Sequence, residues 1–312
     1  MVEIADDDGM PATSIAAGGD GAGDVVLRLA HRRPYAAGPL LGFLAARAVP
    51  GVEEVTAGTY RRSVRLPHGE GVLALTPLPD DGHVRARLRL GDQRDLAAAV
   101  QRCRRLFDLD TDPEAVADVL GADPLLAPLV RLRPGLRVPG QVDGFELAVR
   151  AVLGQQVTVK GARTLAERLV HKLGGPLAAP DGTLTHLFPS AEAVARDDLS
   201  GIGLTGPRTR ALRALAAAVA GGVVALEPGA DRAETRRALL ALPGIGPWTV
   251  EYVALRALGD PDAIPLTDLG LRQALRSLGA PDGTKALAAR AERWRPWRSY
   301  AALHLWAHLA SA

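Results

Sequence analysis

The chain has a single cysteine, Cys103, in its 312 residues. One thiol cannot close a disulfide within the chain, and it cannot supply the four cysteines that hold an iron–sulfur cluster. A protein without disulfides suits a reducing compartment, so we expect a cytoplasmic, nucleoid-associated protein rather than a secreted one. We also expect no cofactor.

Long apolar runs are missing as well. No stretch reaches the roughly 18 apolar residues that a membrane-spanning helix needs, so we expect no membrane partner. The first 24 residues contain six acidic side chains and no lysine or arginine, and they lack the charged-then-apolar pattern of a signal peptide. Their Gly-, Ala- and Asp-rich composition, without hydrophobic periodicity, predicts a disordered tail over residues 1–23.

Lysine is scarce, so arginine supplies nearly all of the 37 positive charges. The formal net charge of the whole chain is only +2, but residues 25–312 carry 37 basic against 29 acidic side chains, a net +8. Such a surplus suits a polyanionic partner. On charge alone, an arginine-rich soluble surface explains the surplus nearly as well.

The hydrophobic pattern divides the chain into two parts. Between residues 24 and 90 a period of two predicts four strands, at Val25–Leu29, Tyr60–Leu66, Val72–Thr76 and Val84–Leu90. Leu40–Val49 and Leu96–Phe107 have helical spacing. Beyond Pro113 the patterns are helical throughout, with a loop predicted at Gly174–Gly182 and no recurring strand pattern. We therefore predict an α+β domain with an antiparallel sheet (residues 24–112), then an all-α core of two helical subdomains (residues 113–312).

The most informative segment starts at a glycine-rich turn, Pro243-Gly244-Ile245-Gly246. Its glycines permit left-handed backbone angles and leave the amide groups uncovered. Pro247 follows at the start of a helix, where its missing N–H costs nothing. Short apolar helices on both sides predict a helix-hairpin-helix over about residues 232–259, whose amides and helix dipole bind a phosphate. An ordinary helix junction accounts for the turn alone equally well.

The same turn lacks the Gly-Lys-Ser/Thr ending of a nucleotide triphosphate loop. No lysine follows to reach a terminal phosphate, and no hydroxyl is placed for magnesium. ATP is therefore a poor candidate ligand.

Aromatic residues make up only 4% of the chain, and all four tryptophans lie in its last 65 residues. Trp248 and Tyr252 are four residues apart, so they share one helix face. We predict that Trp248, Tyr252 and Trp306 line a stacking pocket. For Trp294 and Trp297, burial in the core under the C-terminal helices is the expected explanation.

Asp268 precedes an amphipathic run that begins at Leu271, so Thr267 or Asp268 is a natural helix N-cap. Capping alone explains an aspartate here. A capping carboxylate can also face a cleft, and the helix dipole favours its ionised form. Facing a base pocket, this anion would stabilise a sugar cation.

These residues resemble the helix-hairpin-helix DNA glycosylase superfamily and, within it, the DNA-3-methyladenine glycosylases of the AlkA type. The resemblance spans about residues 25–309. Beyond the hairpin and Asp268, it rests on five segments that follow the family's order: Leu41–Val49, Arg105–Leu109, Arg133–Arg137, Val149–Gln155 and Glu292–Tyr300. The hairpin alone is shared by polymerases and ligases, whereas the combination is specific.

The resemblance implies a role for each matching residue. Asp268 falls on the family's catalytic aspartate, and Thr267 stands where some relatives carry a second acid. Gln156 falls on the DNA wedge, where an apolar side chain is usual, so the glutamine is a departure. The remaining assignments are Trp248, Tyr252 and Trp306 to the base pocket, and Gly244, Ile245, Gly246 and Thr249 to the DNA-binding hairpin.

The implied reaction is hydrolysis of an N-glycosidic bond. Relatives that also cleave the strand attack with a lysine on the second hairpin helix, where this chain has Trp248, so water is the expected attacker and an abasic site the product. The expected partner is double-stranded DNA containing alkylated purines, bound by a monomer. Cation–π attraction to the aromatic walls would select the cationic bases. No side chains are expected to bind a metal, although the carbonyls of Leu242 and Gly244 offer a site for a monovalent cation.

Two other functions fit the sequence. The first is a glycosylase for mismatched or deaminated bases, and the second is a catalytically silent module that senses distorted DNA.

Two further patterns are interpreted as structural. Ser200–Leu204 echoes the hairpin and is taken as a helix junction. His304 and His308 are four residues apart, and a solvated or capped helix face is expected rather than a metal site.

Overall fold

The structure is a computed structural model. It describes residues 24–227 and 229–310, together with the backbone of two short segments at residues 2–4 and 13–16. The disordered tail predicted for residues 1–23 otherwise lies outside the described residues. Among those that are described, no helix combines the length and apolar composition needed to cross a bilayer.

The N-terminal half is built on one antiparallel sheet with the strand order β1-β2-β3-β7-β6-β5-β4. The four strands and two helices predicted from the sequence are all present. The strands are β1 Val2–Ile4, β2 Thr13–Ala16, β3 Asp24–Ala30, β4 Glu53–Thr56, β5 Thr59–Arg65, β6 Glu70–Leu78 and β7 His83–Leu90. Helices α1 (Ala37–Arg47) and α2 (Leu96–Leu106) accompany the sheet.

Alternation of side chains fixes which face of the sheet is buried. Along the paired strands β3 and β7, Leu29 and Leu88 are buried, whereas Arg28, Arg85 and Arg87 are exposed on the opposite face. The inward residues form a core with α1, α2 and Tyr35. Other side chains of α1, among them Phe43 and Arg47, line a cleft between this helix and the second half of the chain.

The second half is helical and has a larger core of its own. Val49 and Val52, in the connection between α1 and β4, also belong to that core. Its helices are α3 Pro113–Gly121, α4 Ala127–Leu132, α5 Gly144–Leu153, α6 Val159–Leu173, α7 Ala191–Arg196, α8 Gly206–Ala220, α9 Arg232–Leu240, α10 Pro247–Arg256, α11 Leu269–Ser277, α12 Thr284–Ala291 and α13 Arg298–Leu309. The predicted α+β domain followed by an all-α core is confirmed.

The prediction that no strand follows Pro113 is wrong. Two short strands, β8 (Pro176–Asp181) and β9 (Leu184–His186), form a hairpin that begins in the predicted loop Gly174–Gly182 and extends past it. Proline and alanine obscure its period in the sequence, and its stability comes from tertiary contacts. Leu177, Leu184 and Leu187 bury against Val72 of β6, and Asp181 forms ion pairs of 2.7 and 2.9 Å with Arg61 and Arg89.

A buried network of charges joins the sheet to the helical half. Arg62 of β5 binds Glu53 of β4 at 3.2 Å and Glu146 of α5 at 2.7 Å, and Arg150 of α5 binds both glutamates at 2.5 and 2.6 Å. Burial opposes ionisation of Glu53, but the attraction of Arg150 and Arg62 outweighs it and lowers its pKa to about 2. The sequence pattern does not predict β4 because its one buried position is the charged Glu53 rather than an apolar residue.

Candidate active site

The predicted hairpin is present, with α9 before the turn and α10 after it. Gly244 has φ of +76°, and a Cβ there would lie 2.9 Å from the Cβ of Ala211 on α8, so both the backbone angle and the close approach require glycine. Ile245 is buried and anchors the turn in the core. No side chain caps α10 at Gly246, and Pro247 occupies its first turn. The amides at the start of α10 are therefore left for an anion.

A glutamine beside the predicted wedge supports this turn. Gln155 Nε2 donates to the Gly244 carbonyl at 3.1 Å and to Thr249 Oγ1 at 3.0 Å. Arg208 of α8 donates to the Gln155 carbonyl at 2.5 Å. Gln156, the predicted wedge, is exposed and has φ of +56°, so it lies at the tip of the loop that follows α5. The sequence indicates Gln155 only as the end of a family-like segment and does not predict its contact with the hairpin.

Both carbonyl oxygens considered as a monovalent cation site at the hairpin already accept hydrogen bonds within the protein. The Gly244 carbonyl accepts from Gln155, and the Leu242 carbonyl accepts from the Ile245 N–H at 3.2 Å. Within the described part of the chain, no group of three metal-binding side chains occurs. Thr249, predicted as a DNA contact, is buried, and its hydroxyl faces Gln155 rather than solvent.

Asp268 has the two positions that the sequence analysis anticipated: it caps α11, and it also faces the cleft. Its Oδ1 accepts from the Leu271 N–H at 2.8 Å and from Trp306 Nε1 at 2.9 Å. Its Oδ2 accepts from Trp248 Nε1 at 2.6 Å. Both oxygens are therefore held by N–H donors, which fix the direction of the carboxylate.

Gly270 completes this arrangement, and sequence reasoning missed it. A Cβ at this position would lie 3.0 Å from Asp268 Oδ1 and 3.3 Å from Cδ1 of Trp306. A larger residue would push the indole off the carboxylate. The only signal in the sequence is a glycine in the first turn of a helix, where glycine has no conformational advantage.

The three predicted pocket aromatics lie together. The Trp248 and Tyr252 rings stack with centroids 5.2 Å apart and planes 11° apart, and the edge of Trp306 meets Tyr252 at 6.5 Å. Trp294 is fully buried, as expected of a core residue, and its Nε1 donates to Asp123 at 2.9 Å. Trp297 is half-buried against the same core.

These aromatics and Asp268 line a cleft of about 760 Å³ between α1 and the helical half. That volume lies within the roughly 300–1,000 Å³ of small-molecule sites, so a nucleobase fits. The cleft is mostly apolar, with Phe43 of α1 and Leu303 of α13 among its walls.

The end of the cleft away from Asp268 is cationic. Arg256 Nη1 donates to the Tyr252 hydroxyl at 2.8 Å, and its guanidinium lies 4.6 Å from the centre of the Phe43 ring. Arg47 lies over the same ring at 3.7 Å. Burial would raise the pKa of the Tyr252 phenol, but the charges of Arg256 and Arg47 outweigh it and lower that pKa below its usual value. The sequence analysis did not predict this cluster.

The histidine pair on α13 is not a uniformly solvated face. His304 is buried, and burial, aided by the positive charge of Arg133, lowers its pKa to about 4. The expectation of a solvated or capped residue is therefore wrong for His304, whereas His308 Nε2 lies 3.0 Å from the Ser277 hydroxyl. Ser200–Leu204 lies between α7 and α8, as the junction interpretation predicts.

Two family models match the chain: the AlkA N-terminal domain over residues 26–143 and the HhH-GPD superfamily base excision DNA repair protein over residues 149–299. A Mycobacterium tuberculosis protein named probable bifunctional transcriptional activator/DNA repair enzyme AlkA is 53% identical over 288 residues, which is 92% of this chain. The chain spans only 58% of that relative's length.

A second relative is matched over nearly its whole length. Escherichia coli DNA-3-methyladenine glycosylase 2 is 38% identical over 279 residues, covering 88% of this chain and 94% of that protein. Among solved structures, a 3-methyladenine DNA-glycosylase from Archaeoglobus fulgidus has a TM-score of 0.76 at 20% identity, over 91% of this chain and 98% of that chain. The last match shows the shared fold alone. The chain belongs to the HhH-GPD superfamily of base excision DNA repair proteins, in the branch that carries an AlkA N-terminal domain.

Proposed function

We propose that the protein is a monofunctional DNA glycosylase that removes alkylated purines from duplex DNA in base excision repair. The observation that carries this proposal is Asp268, held between the indole N–H groups of Trp248 and Trp306 at the mouth of an aromatic cleft. The name of the Escherichia coli protein points to the same substrate class, 3-methyladenine.

The uncapped start of α10 and the Gly244 turn would bind a phosphate of the damaged strand. Gln156, exposed at the tip of its loop, would enter the space of the extruded nucleotide. Extrusion costs a few kcal/mol, which binding of the base in the cleft offsets.

We propose that a monomer performs these steps on chromosomal DNA in the cytoplasm. We also propose that the boundary between the sheet platform and the glycosylase core lies near Pro113.

In the chemical step the bond between C1′ and the base nitrogen breaks, and its electron pair leaves with the base. The sugar becomes an oxocarbenium-like cation, which the fixed carboxylate of Asp268 stabilises. Water then adds to C1′, and Asp268 is placed to take its proton. None of the three lysines lines the cleft within the described residues, which supports hydrolysis rather than attack by an amine.

Asp268→Asn tests the assignment. Asparagine caps a helix about as well as aspartate, so α11 should persist while the negative charge is lost. We expect release of 3-methyladenine and 7-methylguanine from methylated DNA to fall at least 100-fold, with binding to an abasic-site analogue retained. Losing a single electrostatic stabiliser typically has an effect of about this size.

Asp231→Asn is the matched control, because Asp231 caps α9 in the same way outside the cleft. It should leave base release unchanged. Persistence of excision in Asp268→Asn would remove the catalytic role of that residue. A wild-type protein that binds abasic DNA but releases no base from any lesion would instead be a damage-binding module.

A further inference from the structure

The cleft has opposite charges at its two ends. Asp268 lies at one end, where both its oxygens accept from indole N–H groups. The aromatic rings of Trp248, Tyr252 and Trp306 form the middle. Arg47 and Arg256 form the far end, where Arg256 reaches the hydroxyl of Tyr252. A nucleobase with its sugar at Asp268 and its ring on the aromatics would point its outer edge at the guanidinium groups.

The two arginines differ in how firmly they are held. Arg256 donates to the carbonyls of Pro139 and Gly140 at 2.5 and 3.1 Å and to the Tyr252 hydroxyl at 2.8 Å, so each of its three side-chain nitrogens is already held. Arg47 donates at 3.3 Å to a carbonyl of its own helix, lies on the Phe43 ring and also interacts with the Tyr252 hydroxyl. Arg150, another arginine of the cleft, pairs with the buried glutamates of the charge network. Arg47 makes fewer hydrogen bonds to protein carbonyls than Arg256, so it has more donors to offer a ligand.

The charge of a departing base depends on whether it is alkylated. A purine alkylated at N3 or N7 is a cation in DNA and leaves as a neutral molecule. A neutral purine that carries a carbonyl oxygen leaves with the electron pair of the broken bond and becomes an anion. A guanidinium at the outer edge of the base therefore lowers the barrier for the neutral purine and disfavours binding of the cation.

Building on the proposed function, we propose that Arg47 determines specificity by stabilising the departing anion of a neutral, carbonyl-bearing purine of the deaminated type. As C1′–N9 breaks, the electron pair spreads from N9 to the carbonyl oxygen that accepts from Arg47. The sugar cation forms beside Asp268, water adds to C1′ and gives its proton to Asp268, and the base anion takes a proton from solvent. The sequence analysis expected cationic bases to be selected by cation–π attraction alone. A cleft built only for that purpose would not need positive charges such as Arg47 and Arg256 at its far end.

The test compares two lesions, hypoxanthine and 7-methylguanine, in the same duplex under single-turnover conditions. Arg47→Met keeps the packing on Phe43 and removes the charge. We expect hypoxanthine release to fall at least tenfold, while 7-methylguanine release stays within threefold of the wild type or rises. Arg47→Lys keeps the charge without the planar donors and should lose less hypoxanthine activity than Arg47→Met. Arg85→Met, on the exposed face of the sheet, should change neither rate.

An equal fall for both lesions, or no change for either, would overturn the proposal. If Arg47→Met unfolds below the assay temperature in a circular dichroism melt, the rate ratio of Arg47→Gln, which also removes the charge, decides in the same way. A wild-type protein that releases 7-methylguanine but no hypoxanthine overturns the role of Arg47 and leaves the proposed function intact. A wild-type protein that releases neither base refutes the proposed function itself.

Discussion

Removal of the Gln155 amide is expected to weaken the grip on DNA although Gln155 need not touch the nucleic acid. Its Nε2 makes hydrogen bonds of 3.1 and 3.0 Å to Gly244 and Thr249, which tie the wedge loop to the hairpin turn. A net contribution of about 0.5–1.5 kcal/mol for each gives roughly 1–3 kcal/mol in total. If the turn must be reordered on binding, that loss corresponds to an affinity about 5- to 150-fold lower for Gln155→Ala.

Fluorescence anisotropy with a duplex that contains an abasic-site analogue measures the effect. Gln155→Glu should lose more than Gln155→Ala, because it places a carboxylate oxygen against the Gly244 carbonyl, which can only accept. Gln156→Ala is the comparison for folding, because this side chain is exposed and its removal should leave the melting temperature of the protein unchanged. Wild-type affinity in Gln155→Ala, together with a large loss in Gln156→Ala, would refute the supporting role of Gln155.

Three further outcomes are expected. Trp306→Phe keeps a ring but removes a donor to Asp268, and because hydrogen bonds to charged groups contribute about 1.5–3 kcal/mol, single-turnover excision should slow by roughly 10- to 150-fold. Glu146→Gln leaves Arg62 short of a buried counter-charge and should lower the free energy of unfolding by about 3–5 kcal/mol in urea denaturation, whereas an unchanged midpoint would contradict the network. The pKa of His304 is about 4 when folded against an ordinary 6.5, so the unfolded chain binds the proton first and stability falls as pH drops from 6.5 to 4. Relative to the wild type, His304→Leu should gain stability across that interval, which urea titrations at several pH values would reveal.

Sequence reasoning located the parts of the site that depend on short-range order. The turn at Gly244, the helix face shared by Trp248 and Tyr252, and the cap at Asp268 each follow from residues within a few positions of one another. Trp306 lies farther along the chain, and its assignment to the pocket rested on the clustering of the tryptophans and on the family resemblance. The structure brings it to Asp268 at 2.9 Å.

The parts it missed depend on contacts between distant segments. Arg47 and Arg256 meet at Phe43 only because α1 packs beside α10, and no period in the sequence reports that pairing. Strand β4 escapes prediction because its buried glutamate is neutralised by arginines from β5 and α5. The β8–β9 hairpin is likewise stabilised by contacts with the distant sheet.

Helix α5 connects the loop of the proposed wedge residue to the sheet. Its Glu146 and Arg150 are bound to charges of the sheet, and the loop that presents Gln156 begins directly after Leu153. A side chain that pries a nucleotide out of the stack is pushed back with equal force, and a helix of ten residues is a short, stiff rod of about 15 Å. In the proposed function, force on Gln156 during base extrusion would therefore pass through α5 to Arg62 and Glu53 of the sheet.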